Sequence, residues 1–331
     1  MYNKEYHNKP LDRLNILITG GAGFIGSNIC EYLIKHNVGK VTVVDNLSTG
    51  YYENVKPFIN MPNFEFIEGD LTDFGFCKEI CENIDLVCHQ AALGSVPRSI
   101  ENPVATNHHN VTGFINIITA AKDAGVKRFV YASSSSVYGD ELSSPKIEEK
   151  TGNLLSPYAV SKKTNEVYAG VFHQLYDLEI IGLRYFNVFG PRQSPKGAYA
   201  AVIPLFVDGL VNEKPVHIDG LGDQTRDFTF IENVVQANIK ALTVDNKDAY
   251  GEVYNVACGD SISVLDLYKD ISSILKINKE PLFRDSRRGD IKNSLANISK
   301  AQRLLGYKPM FNVREGLEKT VQSFKEKLLI N

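Results

Sequence analysis

The chain has 331 residues, of which 43% are hydrophobic and 23% are charged, and its net charge is −3 at pH 7. This composition is typical of a globular protein with one large core or two closely packed domains. The small negative net charge gives no electrostatic reason to expect a nucleic acid or an anionic membrane as partner. The five cysteines form no CxxC pair, the first 13 residues lack the apolar core of a signal peptide, and no apolar run approaches bilayer length. We therefore expect reduced thiols, no membrane insertion and a cytoplasmic location.

Short strand-like runs alternate with helix-length segments through the first half of the chain. Strands are predicted at residues 15–19, 40–44, 63–70, 84–92 and 127–133, and two of the intervening helices at 24–36 and 104–124. Strands that are apolar on both faces and separated by helices form a parallel sheet that is covered on both sides. The sequence therefore predicts an α/β fold with a Rossmann-type doubly wound parallel sheet.

This alternation ends after EIIGLRYFNVFG at residues 179–190. Beyond it, a helix at 231–242 and a strand at 253–257 are predicted to return to the sheet, and helices are predicted within 261–276, 298–306 and 312–327. Ser263 is the expected N-cap of the first of these three helices. We expect one domain over residues 1–190, joined by 229–258, and a smaller α/β lobe over 191–331.

A glycine-rich turn follows the first predicted strand. In NILITGGAGFIG, Gly20, Gly23 and Gly26 stand three residues apart, between that strand and the helix that follows it. Glycines at such a turn allow the backbone to approach a pyrophosphate, which the helix N-terminus then stabilises. Asp45 ends the second strand nineteen residues beyond Gly26, where a carboxylate accepts hydrogen bonds from an adenosine ribose and repels a 2′-phosphate. The sequence therefore predicts dinucleotide binding, with NAD favoured over NADP.

A Tyr-x-x-x-Lys pair lies in SPYAVSKKTNEVY at residues 156–168. Ser156 is a suitable N-cap and Pro157 a suitable first helical residue, so Tyr158 and Lys162 are expected on one face of a helix. A phenol is a weak base at its reference pKa near 10, but a neighbouring ammonium and the positive charge of an oxidised nicotinamide both favour the phenolate. Such a pair also arises by chance in ordinary amphipathic helices. Here it follows the glycine-rich turn and the serine run YASSSSVYGD, which ends a predicted strand.

These motifs occur in the order found in one known family. The sequence resembles the extended short-chain dehydrogenase/reductase family and, within it, the nucleotide-sugar 4-epimerases. The resemblance covers nearly the whole chain and rests on TGGAGFIG, VDNLSTG, GDLTD, HQAALGSVPRS, SSSSVYG, YAVSK, LRYFNVFGPRQ, TRDF and RRGD. It is strongest to bacterial 4-epimerases that act on UDP-N-acetylglucosamine or on the corresponding uronic acid, enzymes that usually supply surface-polysaccharide precursors.

The resemblance implies a tightly bound NAD, regenerated in each turnover, in the first domain. Beside the pyrophosphate it implies Gly20, Gly23, Phe24, Ile25 and Gly26, and beside the adenosine ribose Asp45, Asn46, Ser48, Thr49 and Gly50. Asp70 and Leu71 would lie by the adenine, and Gln90, Ala91, Asn110, Tyr185 and Val188 match further cofactor-contacting positions. Tyr158 and Lys162 would serve both the cofactor and the chemistry, with Lys162 bonding the nicotinamide ribose.

The resemblance also implies contacts to a UDP-sugar from the second lobe. Ser95, Asn187 and Val202 match positions around the sugar and uridine, Arg226 and Arg287 match diphosphate-binding arginines, and Asp290 matches a uridine-ribose ligand. Guanidinium groups bind phosphate oxygens in bidentate geometry, which agrees with this role for the two arginines. At Ser294 some family members have a bulky Tyr, so the small residue would leave room for an N-acetyl group.

Family members begin by oxidising the sugar at C4. Tyr158 would take the 4-hydroxyl proton through Ser134 while hydride passes to NAD. Dehydratases and decarboxylating relatives have an acidic residue just before Val-Tyr-Gly, where this chain has Ser135 and Ser136. A hydroxyl at its ordinary pKa cannot replace a carboxyl group in elimination. The 4-keto sugar is therefore expected to turn over and take hydride back on its other face, which is C4 epimerisation.

Two other functions stay open from the sequence. The first is a UDP-glucuronate 4-epimerase, or a nucleotide-sugar dehydratase or decarboxylase of the same family. The second is a non-catalytic NAD-sensing protein, which the presence of Ser134, Tyr158 and Lys162 argues against.

Several histidines are interpreted as structural. His89 follows an apolar strand and is expected in the core, while His108 and His109 are adjacent and point about 100° apart on a helix. With no partner at ligand spacing, no metal site is expected. By analogy with the family, we expect a homodimer that packs two helices per subunit into a four-helix bundle.

Overall fold

Seven parallel strands form the central sheet of the protein. The computed structural model describes residues 1–196, 200–285 and 292–330. Its strands are β1 (Asn15–Thr19), β2 (Lys40–Asp45), β3 (Phe64–Glu68), β4 (Leu86–His89), β5 (Arg128–Ser134), β6 (Glu179–Tyr185), β7 (Val188–Phe189), β8 (His217–Asp219), β9 (Thr225–Arg226), β10 (Thr229–Phe230), β11 (Glu252–Val256), β12 (Ile262–Ser263), β13 (Leu282–Arg284) and β14 (Asn293–Ser294). The main sheet has the order β11-β6-β5-β4-β1-β2-β3. From β1, the strands β2 and β3 are added on one side, and β4, β5, β6 and β11 on the other. The predicted doubly wound α/β fold is confirmed.

Helices cover both faces of this sheet and build the second half of the chain. They are α1 (Phe24–Lys35), α2 (Phe74–Ile80), α3 (Val96–Glu101), α4 (Pro103–Asn107), α5 (Gly113–Asp123), α6 (Pro157–Tyr176), α7 (Val202–Val211), α8 (Ile231–Thr243), α9 (Val264–Leu275), α10 (Ser299–Leu305) and α11 (Val313–Ile330). The predicted caps are confirmed, because Ser156 Oγ accepts from the Ala159 N–H at 3.1 Å and Ser263 Oγ from the Asp266 N–H at 3.0 Å. None of the helices among the described residues is both long and apolar enough to span a membrane.

The register of the parallel strands brings their carboxyl ends to one edge. Thr19 at the end of β1 is paired with Val44 on one side and with His89 on the other. His89 is in turn paired with Tyr131 of β5, and Ser134 at the end of β5 with Tyr185. Side chains that follow these strands therefore meet in the crevice beside β1, where open parallel sheets bind their ligands.

One helical run contains a π-helical turn. A single helix was predicted at 104–124, and the structure divides residues 103–123 into α4, a π-helical turn at His108–Thr112 and α5. A π-turn places one additional residue in the helical path. The buried residue of this turn is Asn110, whose contacts are described below.

The second half of the chain adds three small sheets. Their orders are β10-β7, β12-β9-β14 and β13-β8. β11, from the predicted strand at 253–257, lies in the main sheet beside β6. The division of the chain into domains stays a prediction.

The first 14 residues pack on α1 and α8. Tyr2 and Tyr6 are at most 2% exposed, and the Tyr6 ring stacks on Tyr32 with the centroids 5.2 Å apart. The Tyr2 backbone N–H and the Tyr6 hydroxyl both donate to Glu232 Oε1, at 3.1 and 3.0 Å. This segment is therefore part of the folded core. All five cysteines are free thiols.

Candidate active site

The glycine-rich turn after β1 is shaped by backbone contacts. A Cβ at Gly26 would lie 2.4 Å from the Gly20 carbonyl oxygen, and a Cβ at Gly20, where φ is +68°, would lie 2.6 Å from the Ala91 nitrogen. Both positions therefore require glycine. Gly23 is the N-cap of α1, and no side chain caps this helix. Its first-turn N–H groups can therefore donate to an anionic ligand.

Asp45 joins the end of β2 to the same turn. Its carboxylate accepts hydrogen bonds from the Ala22 N–H at 3.0 Å and the Leu47 N–H at 2.9 Å. Burial raises the pKa of Asp45, and these backbone hydrogen bonds oppose the rise. A carboxylate has acceptor capacity beyond two hydrogen bonds, so it can also accept from ribose hydroxyls. Gly50 lets the chain pass close by, because a Cβ there would lie 2.8 Å from both carboxylate oxygens.

A cavity of about 370 Å³ opens beside these groups. The predicted cofactor residues that line it are Gly20, Gly23, Phe24, Ile25, Gly26, Asp45, Asn46, Ser48, Thr49, Asp70, Leu71, Gln90 and Ala91. We call it the nucleotide cavity. Asn46 Nδ2 donates to Asp70 Oδ2 at 2.9 Å, which ties the ends of two neighbouring strands together. Burial opposes ionisation of Asp70, but hydrogen bonds from Thr72 and Asn46 outweigh it and lower its pKa.

Three other predicted cofactor residues, Asn110, Tyr185 and Val188, are not among the described residues that line this cavity. Asn110 makes two hydrogen bonds to the loop after β4. Its Oδ1 accepts from the Leu93 N–H at 2.7 Å, and its Nδ2 donates to the Leu93 carbonyl at 3.2 Å. The Tyr185 hydroxyl, which has one hydrogen to donate, lies 3.0 Å from each of two acceptors, Gln90 Oε1 and Asn238 Oδ1. Val188 lies in β7, paired with Thr229. In this structure Asn110 and Tyr185 therefore hold cavity-lining residues in place.

Two further residues line the nucleotide cavity: Arg98, which was not predicted from the sequence, and His109, which was interpreted as structural. Arg98 belongs to the HQAALGSVPRS motif, so that motif was the available signal. Ser95 begins α3 with φ of 100°, and its Oγ accepts from the Arg98 N–H at 3.3 Å. A non-glycine residue at such a φ is strained, and strain of this kind concentrates at functional sites.

The Tyr-x-x-x-Lys pair and the serine run meet at the ends of β5 and α6. Lys162 is buried, and its Nζ donates to the Ala132 carbonyl at 2.8 Å. The Ser134 and Tyr158 side chains are hydrogen-bonded to each other, and Ser134 Oγ also accepts from the Ser136 N–H at 3.1 Å. The structure thus brings Ser134, Tyr158 and Lys162 together. They are not among the lining residues of the nucleotide cavity in the part of the chain that the structure describes.

The pKa of Tyr158 differs from the sequence expectation. We expected the Lys162 ammonium to favour the phenolate, but burial raises the pKa of Tyr158 and only the Ser134 hydrogen bond opposes the rise. The physical reason is geometric, since Lys162 Nζ lies 5.9 Å from the Tyr158 ring centroid and donates to Ala132 instead. Burial also lowers the pKa of Lys162 to about 8, against the opposing charge of Glu166.

A buried ion pair lies next to Ser134, Tyr158 and Lys162. Glu166, one helical turn beyond Lys162, receives two hydrogen bonds from Arg184, Nε to Oε1 at 2.8 Å and Nη2 to Oε2 at 2.9 Å. The Ser133 hydroxyl donates to Glu166 Oε1 at 2.7 Å. Ser133 therefore has a structural role, whereas the Glu166–Arg184 pair was missed because nothing local in the sequence joins residues on α6 and β6.

Ser136 has a hydroxyl without a protein partner. Its Oγ is buried and has no hydrogen-bond partner among the described residues. A buried polar atom left unpaired costs free energy, so a ligand atom is a natural partner for it. This hydroxyl lies two residues beyond Ser134, in the 3₁₀ turn Ser135–Tyr138.

His89 is a core residue, as expected. It is 2% exposed, and its Nδ1 shares a hydrogen bond of 2.8 Å with Thr19 Oγ1. Burial lowers its pKa to about 3, so the ring stays neutral near pH 7. The ring packs against Phe114 and Phe129, with centroids 5.5 and 5.9 Å away, and is not among the described residues that line the nucleotide cavity.

A second cavity, of about 660 Å³, lies against the smaller sheets. We call it the lobe cavity. Three of the predicted substrate residues, Asn187, Val202 and Arg226, line it, together with the cationic side chains Lys214 and Arg284. Val96, next to Ser95 in the chain, also lines it, so α3 borders both cavities. Arg284 was missed, although it is the second residue of the FRDSRRGD stretch that contains the RRGD motif. Arg287 and Asp290 lie outside the described residues.

Ser294 stands beside Arg226. It belongs to β14, which pairs in parallel with β9 so that Ser294 and Arg226 are register partners. β12 pairs with β9 on its other side. The small side chain therefore lies next to the arginine that lines the lobe cavity.

Asp227 fixes this three-stranded sheet from within the core. Its carboxylate accepts from the N–H groups of Cys258 at 2.9 Å, Gly259 at 3.0 Å and Ala296 at 3.3 Å. Its backbone carbonyl accepts from Asn187 Nδ2 at 3.0 Å. Burial raises the pKa of Asp227 to about 7, against the backbone hydrogen bonds.

Comparison with known proteins identifies the family of this chain. The NAD dependent epimerase/dehydratase family matches residues 16–257. The chain belongs to this family. Its relatives include a putative UDP-glucose 4-epimerase of Methanocaldococcus jannaschii, 38% identical over 94% of this chain and 98% of that protein. A UDP-glucuronate 4-epimerase of Thermodesulfobacterium geofontis is 36% identical over 94% of this chain and 96% of that protein.

A solved structure extends the likeness to the fold. The UDP-N-acetylglucosamine 4-epimerase from Methanobrevibacter ruminantium, in complex with UDP-N-acetylmuramic acid, is 40% identical and has a TM-score of 0.89, covering 95% of this chain and 99% of that one. As a member of the NAD dependent epimerase/dehydratase family with these relatives, the protein is a nucleotide-sugar 4-epimerase that depends on NAD.

The nucleotide cavity fits a dinucleotide. The glycine-rich turn leaves no space for a Cβ at Gly20 or Gly26, and α1 directs uncapped N–H groups from behind Gly23. Asp45 lies at the end of the next strand, where an adenosine ribose is bound in such folds.

Proposed function

We propose that the protein epimerises a UDP-N-acetylhexosamine at C4, interconverting UDP-N-acetylglucosamine and UDP-N-acetylgalactosamine or their uronic acid forms. The observation that carries this proposal is the small Ser294 in register with Arg226 beside the lobe cavity. A small residue there leaves space for the acetamido group at C2. The 40% identical UDP-N-acetylglucosamine 4-epimerase, in complex with UDP-N-acetylmuramic acid, supports it.

Ser134, Tyr158 and Lys162 are the proposed catalytic residues. Tyr158, as phenolate, removes the proton of the sugar 4-hydroxyl through the Ser134 hydroxyl, to which it is hydrogen-bonded. NAD⁺, held by residues of the nucleotide cavity such as Gly20, Gly26 and Asp45, would supply the hydride acceptor for C4 and, once reduced, the hydride donor. The sugar would lose a proton from O4 and a hydride from C4 to become a 4-keto sugar, and the hydride would then return to the opposite face of C4 and the proton to O4.

Tyr158 can act as a base only as the phenolate, so the pKa of this buried hydroxyl has to be lowered. Burial raises its pKa, so the phenolate needs the Ser134 hydrogen bond and a nearby positive charge. Lys162 donates to the Ala132 carbonyl and does not lower the pKa of Tyr158 in this structure, so the positive charge of an oxidised nicotinamide is the one that would favour the phenolate. The serines at 135 and 136 favour epimerisation over elimination, because neither offers a carboxyl group.

The lobe cavity is the proposed binding site for the UDP group. Two arginines, Arg226 and Arg284, and Lys214 line it, and guanidinium groups suit phosphate oxygens. Arg226 Nη1 donates to the Thr225 carbonyl at 2.8 Å, which holds this side chain at the cavity wall. Ser95, Asn187 and Val202 are proposed contacts to the sugar and uridine, and Arg287 and Asp290 stay predicted ligands of the same group.

The test is a direct comparison of substrates. Purified protein is incubated, without added NAD, with UDP-N-acetylglucosamine, UDP-N-acetylglucosaminuronic acid, UDP-glucose and UDP-glucuronate, and C4 stereochemistry is followed by NMR. We expect isomers of equal mass, with higher kcat/KM for the acetamido sugars. A preference for UDP-glucuronate, or products of changed mass, would contradict the proposed substrate.

A substitution at Ser294 tests the observation behind the proposal. Ser294→Tyr is expected to depress turnover of acetamido sugars more than that of plain hexoses, because only the former need space at C2. Ser294→Ala, which stays small, is the matched control and should leave the ratio of the two rates unchanged. Equal losses on both sugars in Ser294→Tyr would remove this residue as a specificity determinant.

We also propose a homodimer formed through α6 and its neighbours. Val160, Val167, Val171 and Leu175 recur along one face of α6 and are 49%, 58%, 43% and 67% exposed. Exposed apolar residues at helical spacing favour helix–helix association. Val167→Glu is expected to give a monomer by light scattering, whereas Leu142→Glu, at a 94% exposed site elsewhere, should not. A dimeric Val167→Glu variant would exclude this face.

A further inference from the structure

Two histidines and a glutamate meet where the N-terminal segment packs against the end of α1. One ligand-capable atom from each of Glu5, His7 and His36 lies within 4.8 Å of those of the other two. The His7 and His36 rings are 5.3 Å apart, centroid to centroid, at an interplanar angle of 73°. Glu5 is exposed and both histidines are partly buried. No metal site was expected from the sequence, where, among the histidines, only His108 and His109 were considered as ligands; His7 and His36 stand 29 positions apart.

Neighbouring groups orient both rings. His36 Nε2 donates to the Tyr2 carbonyl at 3.0 Å, and because a carbonyl only accepts, this nitrogen carries the proton. The Nδ1 of His36 is then left with a lone pair. His7 Nδ1 shares a hydrogen bond of 2.7 Å with the Tyr32 hydroxyl, and in the tautomer in which Nδ1 donates, Nε2 has a lone pair for a ligand. Hydrogen bonds to the second ring nitrogen are the usual outer support of metal-binding histidines.

We propose that Glu5, His7 and His36 bind a zinc ion. Two imidazoles and a carboxylate are a typical donor set for Zn²⁺, with water completing a tetrahedron. Donor atoms in such a site stand about 3.3 Å apart, given metal–ligand distances of about 2.0–2.1 Å. Rotation of the exposed Glu5 side chain and a small turn of the two rings close the remaining gap.

The position suits a cation for a second reason. His36 is the C-cap of α1, and the C-terminal end of a helix carries a partial negative charge. A bound ion would join the N-terminal segment to this helix, whose other end forms the glycine-rich turn at the nucleotide cavity. The proposed ion is structural and lies outside the candidate active site.

The test uses tag-free, EDTA-treated full-length protein titrated with zinc chloride in a calorimeter. We expect one Zn²⁺ per chain, an increase in Tm with zinc, and no comparable binding of Mg²⁺. Glu5→Gln, His7→Gln and His36→Gln are expected to weaken binding about tenfold or more. His108→Gln, at an exposed histidine outside the cluster, is the matched control and should bind as the wild type does.

Two outcomes would overturn the site. One is the absence of saturable zinc binding in the wild type, and the other is wild-type affinity in both Glu5→Gln and His36→Gln. Because Glu5 is exposed, its substitution keeps the fold, which NAD binding verifies, so this variant decides the matter even if a histidine variant fails to fold. X-ray absorption at the zinc edge should show two imidazole ligands in the wild type, and a shell of oxygens alone would count against the proposal.

Discussion

Replacing Glu166 by Gln should destabilise the protein by leaving a buried guanidinium without its counter-charge. Arg184 is 1% exposed and gives Glu166 two hydrogen bonds, at 2.8 and 2.9 Å. Gln keeps the shape and one acceptor oxygen but removes the charge. Breaking one side of a buried ion pair costs about 3–5 kcal/mol, because the remaining charge stays desolvated.

This cost converts into a measurable change in melting temperature. An unfolding entropy of about 2.1 cal/mol/K per residue gives about 0.7 kcal/mol per degree for a chain of 331 residues. Glu166→Gln is therefore expected to lower Tm by about 4–7 °C at pH 7. Calorimetry measures this directly, and urea unfolding gives the free energy independently.

The pH dependence of the loss follows from the pKa of Glu166. Burial opposes its ionisation, but the Arg184 hydrogen bonds and charge outweigh burial and lower the pKa. A lowered pKa means that the carboxylate contributes stability above its unfolded pKa, about 4.3, and loses it as pH falls through the folded value. The difference between wild type and Glu166→Gln should therefore shrink in acid. Losing the Glu166 charge should also lower the pKa of Lys162 further.

Two controls separate this pair from charge effects in general. Glu65→Gln removes an exposed partner of Lys40 and should cost less than about 1 kcal/mol. Adding Arg184→Met to Glu166→Gln removes both charges and should recover much of the stability, since apolar replacement of a buried pair is often neutral. The reasoning is refuted if Glu166→Gln is no more destabilising than Glu65→Gln.

Three further substitutions test the candidate site. Tyr158→Phe is expected to lower kcat by about 10²–10⁴-fold while NAD stays bound, since it removes only the proton acceptor, and near-normal turnover would contradict the mechanism. Gly26→Ala should weaken NAD binding, measured by fluorescence, and lower the free energy of unfolding by about 1–3 kcal/mol, because the new Cβ would lie 2.4 Å from the backbone. Gly170→Ala, with open space around it, is the control and should do neither. Asp227→Asn tests a pKa raised by burial to about 7. A native state that holds this proton loses stability as pH rises from about 4 to about 7. The difference in unfolding free energy between the wild type and Asp227→Asn should therefore vary with pH in that range and not above it. A difference that is independent of pH would exclude the protonated Asp227.

Features set by nearby residues were the ones that the sequence predicted well. Tyr158 and Lys162 lie one helical turn apart behind the cap of Ser156, so their common face follows from helix geometry alone. The glycine-rich turn and Asp45 were predictable for the same reason, since each ends a strand with strong apolar patterning.

Features set by tertiary contacts were not predictable in this way. The pKa of Tyr158 depends on burial and on where Lys162 finds its acceptor, and that acceptor is a carbonyl of β5. Asn110 and Tyr185 match cofactor-contacting positions by resemblance, yet their amide and hydroxyl hold the loop after β4 and Gln90. Arg284 enters the lobe cavity from β13, which pairs with β8 more than sixty residues earlier.

The π-helical turn at His108–Thr112 shifts the phase of the helix that contains it. One additional residue rotates everything downstream by about 100° relative to an uninterrupted α-helix. Deleting a single residue within this turn should therefore give a continuous α-helix and leave the buried side of α5, with Phe114 and Ile117, facing the sheet. The same deletion within α5 would turn the residues after it by about 100°. An alignment that treats residues 103–123 as one continuous α-helix therefore matches the wrong residues after the turn. In such an alignment, a gap of one residue at His108–Thr112 indicates a relative that has no π-turn there.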